Sequence, residues 1–98
     1  MSAQKSAKIV AKILLEKEAI TLNAKEPYTY VSGIRSPIYT DNRKMIYYTK
    51  EREVIIDAFL DALKEFDFEI VAGTATSAIP WACWLASRLK KPTVYIRK

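Results

Sequence analysis

The chain is 98 residues long, half of them apolar and 28% charged, with only two glycines and four prolines. That composition excludes collagen, coiled coil and disorder, and the length holds no more than one ordinary domain of roughly 100–200 residues. Sixteen Lys and Arg against eleven Asp and Glu give +5 without any histidine, a balance suited to anionic partners such as phosphate esters, nucleic acid or acidic membranes. The apolar stretches are broken by charge well short of the ~20 residues of a membrane span, and the first residues lack the apolar run of a signal peptide. A reducing, cytoplasmic setting is expected. The single cysteine, Cys83, has no internal disulfide partner and lies in the apolar run from Trp81 to Leu85, where a small buried hydrophobe is the expectation.

Over residues 2–18 the apolar positions Ala3, Ala7, Val10, Ile13 and Leu14 recur three or four apart, with Lys5, Lys8, Lys12 and Glu16 on the other face. This spacing predicts an amphipathic helix that includes Ser2. Residues 20–23, 28–32 and 38–41 are rich in β-branched and aromatic types and are separated by Pro27, Ser32-Gly33 and Pro37, which predicts short strands joined by tight turns. Residues 50–66 carry a second helical stripe of Val54, Ile55, Ala58, Phe59, Ala62, Leu63 and Phe66.

From residue 69 the pattern changes to Glu69-Ile70-Val71-Ala72-Gly73, an unalternating run expected of a strand covered on both faces in a parallel sheet. A helix follows, with Ser77 as a candidate cap, Pro80 in the first turn and Lys90-Lys91-Pro92 at its end. Residues 93–97 then read as another strand, so residues 69–97 form a βαβ unit of about the usual ~30 residues. Two parallel strands leave unpaired edges, and on that ground the sequence is expected to be cut short.

Three places invite chemistry. The strand-to-helix turn Gly73-Thr74-Ala75-Thr76-Ser77-Ala78 has small side chains and hydroxyls where free backbone N–H groups and the helix dipole favour phosphate or pyrophosphate; plain capping is the commoner use of such a hydroxyl-rich turn. The stretch from Tyr28 to Arg43 packs tyrosines and arginines around a glycine turn, offering aromatic faces to a planar ring and guanidinium forks to carboxylate or phosphate, or else a small solvated antiparallel layer. Arg97 and Lys98 end the last strand, at the sheet end where ligands are met. No histidine is present to activate a Ser or Cys nucleophile, and no Cys/His cluster suits zinc.

These residues also carry a resemblance. Ser32-Gly33-Ile34-Arg35-Ser36-Pro37-Ile38-Tyr39-Thr40-Asp41-Asn42-Arg43 resembles the SGxKSPxYxDNR block of orotate phosphoribosyltransferases, with Arg35 in place of Lys. Residues 70–80 resemble the family's GxAxxGIP strand and turn, with Ala78 for the usual Gly, and residues 92–98 resemble the strand leading into its mobile loop. Order and spacing agree along nearly the whole chain, as its amino-terminal half.

The resemblance implies an α/β fold: an amino-terminal helix and short antiparallel strands making a hood over residues 1–68, then over residues 69–98 the first βαβ unit of a doubly wound parallel sheet, truncated. It implies transfer of phosphoribosyl from phosphoribosyl pyrophosphate to orotate with Mg2+ in pyrimidine synthesis, by a homodimer with no nucleic-acid or membrane partner. Thr74, Ala75, Thr76, Ser77 and Ala78 would contact pyrophosphate, Tyr39 and Thr40 would lie beside the orotate ring, and Arg97 and Lys98 would reach phosphoribosyl pyrophosphate. Val31 stands where some members place a lysine. The family's loop Lys and His and its acidic ribose-phosphate motif have no counterpart here, so no catalytic residue is expected within the chain and the chain alone is expected to be inactive. Two further readings remain: a non-catalytic remnant or half of a split enzyme needing a second chain, and a small basic nucleic-acid-binding domain. The second of these is disfavoured because the cations are interleaved with acids.

Overall fold

The computed structural model describes residues 3–98; Ser2, expected in the first helix, lies outside them. Helix α1 (Ala3–Glu16) forms on the predicted period and ends sooner than predicted. Glu18 takes a left-handed φ of 58° and the N–H of Ala19 returns 2.9 Å to the carbonyl of Leu14, a closure that cannot continue as helix. The chain then enters β1 (Ile20–Leu22), β2 (Tyr28–Thr29), β3 (Arg35–Ser36) and β4 (Ile38–Thr40). β1 pairs antiparallel with β4, Thr21 facing Tyr39, and β2 pairs antiparallel with β3, Tyr28 facing Ser36. Gly33, at φ 90°, makes the β2–β3 turn. β3 was not foreseen: Arg35-Ser36 lacks any strand propensity and pairs only because the turn delivers it to β2.

A single 3-10 turn (Asn42–Ile46), also unforeseen, follows β4, with the carboxylate of Asp41 capping the N–H of Arg43 at 3.2 Å. It places Met45, which is fully buried, against Ala19 and Ile55, with Val10, Ile13, Leu14, Tyr48 and Trp81 packed around them. Helix α2 (Thr49–Leu63) supplies Ile55 and Ile56 to the interior. The buried Ile56 lies outside the predicted stripe, whereas Phe66 lies beyond the helix and is exposed, because the helix ends at Leu63 and no longer holds Phe66 in phase.

Strand β5 (Val71–Thr74), helix α3 (Ile79–Leu89) and strand β6 (Thr93–Ile96) complete the βαβ unit, with β5 and β6 parallel and Thr74 opposite Ile96. Pro80 occupies the first turn as predicted, but the residue preceding the helix is Ala78 and no side chain caps it, so Ser77 does not play that part. Lys90 closes α3 in the left-handed conformation. The expectation that the strands are covered on both faces is not met: in β5 only Gly73 is buried, against α3, and every residue of β6 is exposed. Among the described residues only α3 packs extensively on this pair, and neither strand has a second neighbour.

Cys83 is exposed, contrary to expectation. The buried side of α3 is Ala82, Leu85 and Ala86, and at ~100° per residue position 83 falls just beyond the edge of that side, about 60° from Ala86. α2 and α3 are tied together by Arg88, whose Nη1 and Nη2 donate to Glu53 at 3.0 Å and Asp57 at 2.7 Å. Arg52 adds a second tie, its Nη1 donating 2.8 Å to the Ile46 carbonyl while the guanidinium lies 4.3 Å from the Trp84 ring centre.

Candidate functional site

A cleft of about 1090 Å³ runs between α1, the β4 end with its 3-10 turn, α2 and the start of α3. Two of the three sequence blocks meet on it. Tyr39, Thr40, Asp41 and Arg43 line one wall, and Ser77, Ala78 and Trp81 line another; Val10, Ala58 and Phe59 close the apolar remainder.

β4 presents Tyr39 because the strand alternates and its pairing with β1 fixes the register, Tyr39 opposite Thr21. Tyr39 is 40% exposed and rests on Tyr28, ring centres 5.5 Å apart and tilted by 39°. Tyr30 ties the β2–β3 hairpin to this strand, its hydroxyl donating to the carbonyl of Ile38. Asp41 then turns the chain and holds the next arginine twice. Nε of Arg43 donates to Oδ1 at 2.9 Å and Nη2 to Oδ2 at 3.4 Å. The hydrogen bond from Arg43 is the main cause that lowers the Asp41 carboxyl below its ordinary 3.8.

The turn from β5 to α3 is drawn tight. The N–H of Ala78 donates to the carbonyl of Thr74 at 3.1 Å, Ile79 to Thr76 at 3.2 Å, and the Ala75–Thr76 peptide bond is cis. Thr74, Ala75, Thr76 and Ser77 are exposed and Ala78 half-buried. The turn can form here because Gly73, without a side chain, lets β5 run directly beneath the first turn of α3.

Arg97 and Lys98 follow β6 and do not line the cleft; both are exposed. The parallel register nevertheless sets their backbone beside the turn, since the N–H of Ala75 donates to the carbonyl of Ile96 at 2.8 Å. Tyr39, Thr40, Ser77 and Ala78 are therefore brought together, Thr74, Ala75 and Thr76 lie on the same turn outside the cleft lining, and Arg97 and Lys98 stand at the same sheet end. Asp41 and Trp81 on the cleft walls were not singled out by sequence. Trp81 reads simply as one apolar residue at helical spacing, and only the packing of α3 reveals where it faces.

Among the described residues no group of three or more His, Cys, Asp or Glu side chains could hold a metal ion. Among the described residues no helix is long and apolar enough to cross a membrane.

No family model matches the chain. It is 53% identical over 90 residues to the orotate phosphoribosyltransferase of Coxiella burnetii, a match covering 90% of this chain and 43% of that protein. Against the orotate phosphoribosyltransferase of Enterococcus faecalis it is 48% identical over 95 residues, covering 95% of this chain and 45% of the relative. The crystal structure of orotate phosphoribosyltransferase from Aeropyrum pernix superposes with a TM-score of 0.79 at 33% identity, over 91% of this chain and 50% of that one. Leishmania donovani UMP synthase superposes with a TM-score of 0.77 over 100% of this chain and 20% of its own, at 24% identity, which speaks to the fold alone. The chain spans under half the length of the relatives it matches by sequence.

Proposed function

We propose that this chain, a homologue of the amino-terminal half of orotate phosphoribosyltransferases, supplies the base-binding hood and the pyrophosphate turn of an enzyme converting orotate and phosphoribosyl pyrophosphate to orotidine 5′-monophosphate and pyrophosphate. The observation that carries this reading is the cleft on which Tyr39 and Thr40 from one sequence block face Ser77 and Ala78 from another. In this reading residues 1–68 are the hood and residues 69–98 begin the catalytic core.

The reaction displaces pyrophosphate at an anomeric carbon through an oxocarbenium-like state. It calls for charge neutralisation on the leaving group and exclusion of water more than for a covalent nucleophile. That suits a chain with no histidine. Thr74, Ala75, Thr76, Ser77 and Ala78 receive pyrophosphate, with backbone N–H groups and the Thr74, Thr76 and Ser77 hydroxyls as donors at the amino end of α3. Arg97 and Lys98, beside that turn, add positive charge to phosphoribosyl pyrophosphate. Tyr39 and Thr40 flank the base. Bound with the diphosphate substrate, Mg2+ would add charge neutralisation on the leaving group. The active form is a homodimer working in the cytoplasm.

The test joins this chain to the carboxy-terminal remainder of the Coxiella burnetii relative and measures orotate-dependent pyrophosphate release. Activity is expected from the joined protein and none from the 98 residues alone. A folded joined protein that releases no pyrophosphate, beside an active parent, would overturn the reading.

A second reading rests on the wholly exposed β6: the chain is one half of a split enzyme and works by pairing with a separate second chain. Mixing the two parts instead of joining them distinguishes it, since activity on mixing requires association in trans.

A further inference from the structure

Two walls of the cleft stand on α2 and α3, and a polar contact away from the cleft fastens these helices together. Glu53 and Asp57 of α2 meet Arg88 near the end of α3, while Phe59, further along α2, meets Trp81 near the start of α3, ring centres 6.4 Å apart. The cleft lies at the second meeting place: Ala58, Phe59 and Ala62 line it with Ser77, Ala78 and Trp81, whereas Arg88, Glu53 and Asp57 do not.

The contact at Arg88 is directional. Nη1 donates to Oε2 of Glu53 at 3.0 Å and Nη2 to Oδ1 of Asp57 at 2.7 Å. Glu53 and Asp57 stand at i and i+4, on one side of α2 and one turn apart. Two nitrogens of a rigid planar fork, bound to two points along a helix, fix the direction of α3 as well as its distance. At the cleft end the Phe59 and Trp81 rings make an apolar contact, which sets spacing but no direction.

Stability is not what the Arg88 contact chiefly supplies. The Arg88, Glu53 and Asp57 side chains are 43%, 49% and 56% exposed, and ion pairs so open to solvent add little. Geometry is what it can supply. From Arg88 back to Ala78 is about 15 Å along α3 at ~1.5 Å per residue, so a tilt of about 4° at Arg88 moves the turn by about 1 Å. Misplacement on that scale can cost about 10²-fold in rate where two reactants must meet.

We propose that Arg88 is a positioning residue for the transfer reaction: it holds α3 at the angle that brings the pyrophosphate turn to the hood wall on α2. Arg88 itself touches neither substrate. This role rests on the function proposed above and adds the contact that sets the spacing between its two walls.

Two measurements test it. In the 98-residue chain, the near-ultraviolet circular dichroism of the Phe59, Trp81 and Trp84 rings reports how α3 lies on α2. Arg88→Gln is expected to change that spectrum and to leave the far-ultraviolet spectrum as it is; an unchanged near-ultraviolet spectrum would overturn the inference by itself. In the protein joined to the carboxy-terminal remainder of the Coxiella burnetii relative, Arg88→Gln is expected to lower kcat about tenfold, with KM for orotate and for phosphoribosyl pyrophosphate within about twofold. The rate is expressed per pyrophosphate-binding site, counted by calorimetric titration, so that lost folded protein does not pass for lost positioning. Arg88→Lys, which keeps the charge without the fork, should recover part of the rate, and Glu53→Gln combined with Asp57→Asn should reproduce the loss. An unaltered rate per site in folded Arg88→Gln, or a loss that merely follows the number of binding sites, would overturn the role of Arg88 while leaving the proposed function in place. A joined protein that is inactive beside an active parent would remove the proposed function, and this role with it.

Discussion

A side chain at Gly73 would place its Cβ 2.8 Å from the Cβ of Ala82 and 2.8 Å from the carbonyl oxygen of Ala78. Neither neighbour can yield cheaply. The Ala78 carbonyl accepts the N–H of Ala82 at 3.0 Å, and Ala82 is buried in the side of α3 that packs on the strand. Gly73→Ala is thus expected to push β5 and α3 apart and cost about 1–3 kcal/mol, the usual range for overpacking. Urea unfolding measures it, and a midpoint equal to that of the unaltered chain would show that the strand and helix are not in close contact.

Met45 has 0% of its surface exposed and shares a core with Ala19 and Ile55, yet it is carried on the short 3-10 turn that begins beside Asp41. Truncating it leaves a cavity that α1 and α2 cannot both close, so Met45→Ala should lower stability by about 2–5 kcal/mol. Ile38→Ala, at a position 46% exposed, should stay within about half a kcal/mol. Comparable losses for the two would contradict the placement of the core.

The sequence reading succeeded where one period governs a whole element. The spacing of Val10, Ile13 and Leu14 marks α1, Ile55 and Ala58 mark α2, and the change to Ile70-Val71-Ala72 marks the switch to a parallel strand. It missed elements set by partners rather than by their own residues: Arg35-Ser36 becomes β3 through Tyr28 and Thr29, and Met45 becomes core because Asp41 starts a 3-10 turn. Cys83 and Ile56 show a related failure. An apolar residue in an apolar run does not reveal which side of its helix is covered until the neighbouring elements are in position. For the cleft, the motifs named Tyr39, Thr40, Ser77 and Ala78, whereas the facing of Trp81 depends on how α3 packs.

The Asp41–Arg43 pair carries a pH signature. Hydrogen bonding from Arg43 lowers the folded-state Asp41 carboxyl below its ordinary 3.8. Its contribution to stability is therefore present above the ordinary value and is lost as pH falls through the lowered folded value. A carbon-13 carboxyl titration should find Asp41 the later of the two to protonate when compared with a model aspartate. In Arg43→Gln its midpoint should move back up, incompletely, because Lys44 also acts on it. An Asp41 midpoint unmoved by Arg43→Gln would mean that the pair does not form in solution.

Lys90 ends α3 with φ 57° and ψ 46°, a left-handed conformation that costs a non-glycine residue about 1–2 kcal/mol. The geometry is otherwise a well-made stop: the N–H of Lys90 reaches the carbonyl of Ser87 at 3.3 Å, and that of Lys91 reaches Ala86 at 2.9 Å. Lys90→Gly should remove the strain while keeping both hydrogen bonds. The greater freedom of glycine in the unfolded chain offsets part of the gain, leaving a net stabilisation of about 0.5–1 kcal/mol. In a domain of this size that amounts to a rise in melting temperature of about 2–8 °C. The same change at Glu18, whose φ is 58°, should act in the same direction at the end of α1. Because Lys90 lies at the opposite end of α3 from Ser77 and Ala78, the gain should come without any change in ligand titrations at the cleft. A melting temperature that falls on Lys90→Gly would show that the lysine side chain contributes more at that position than its backbone strain costs.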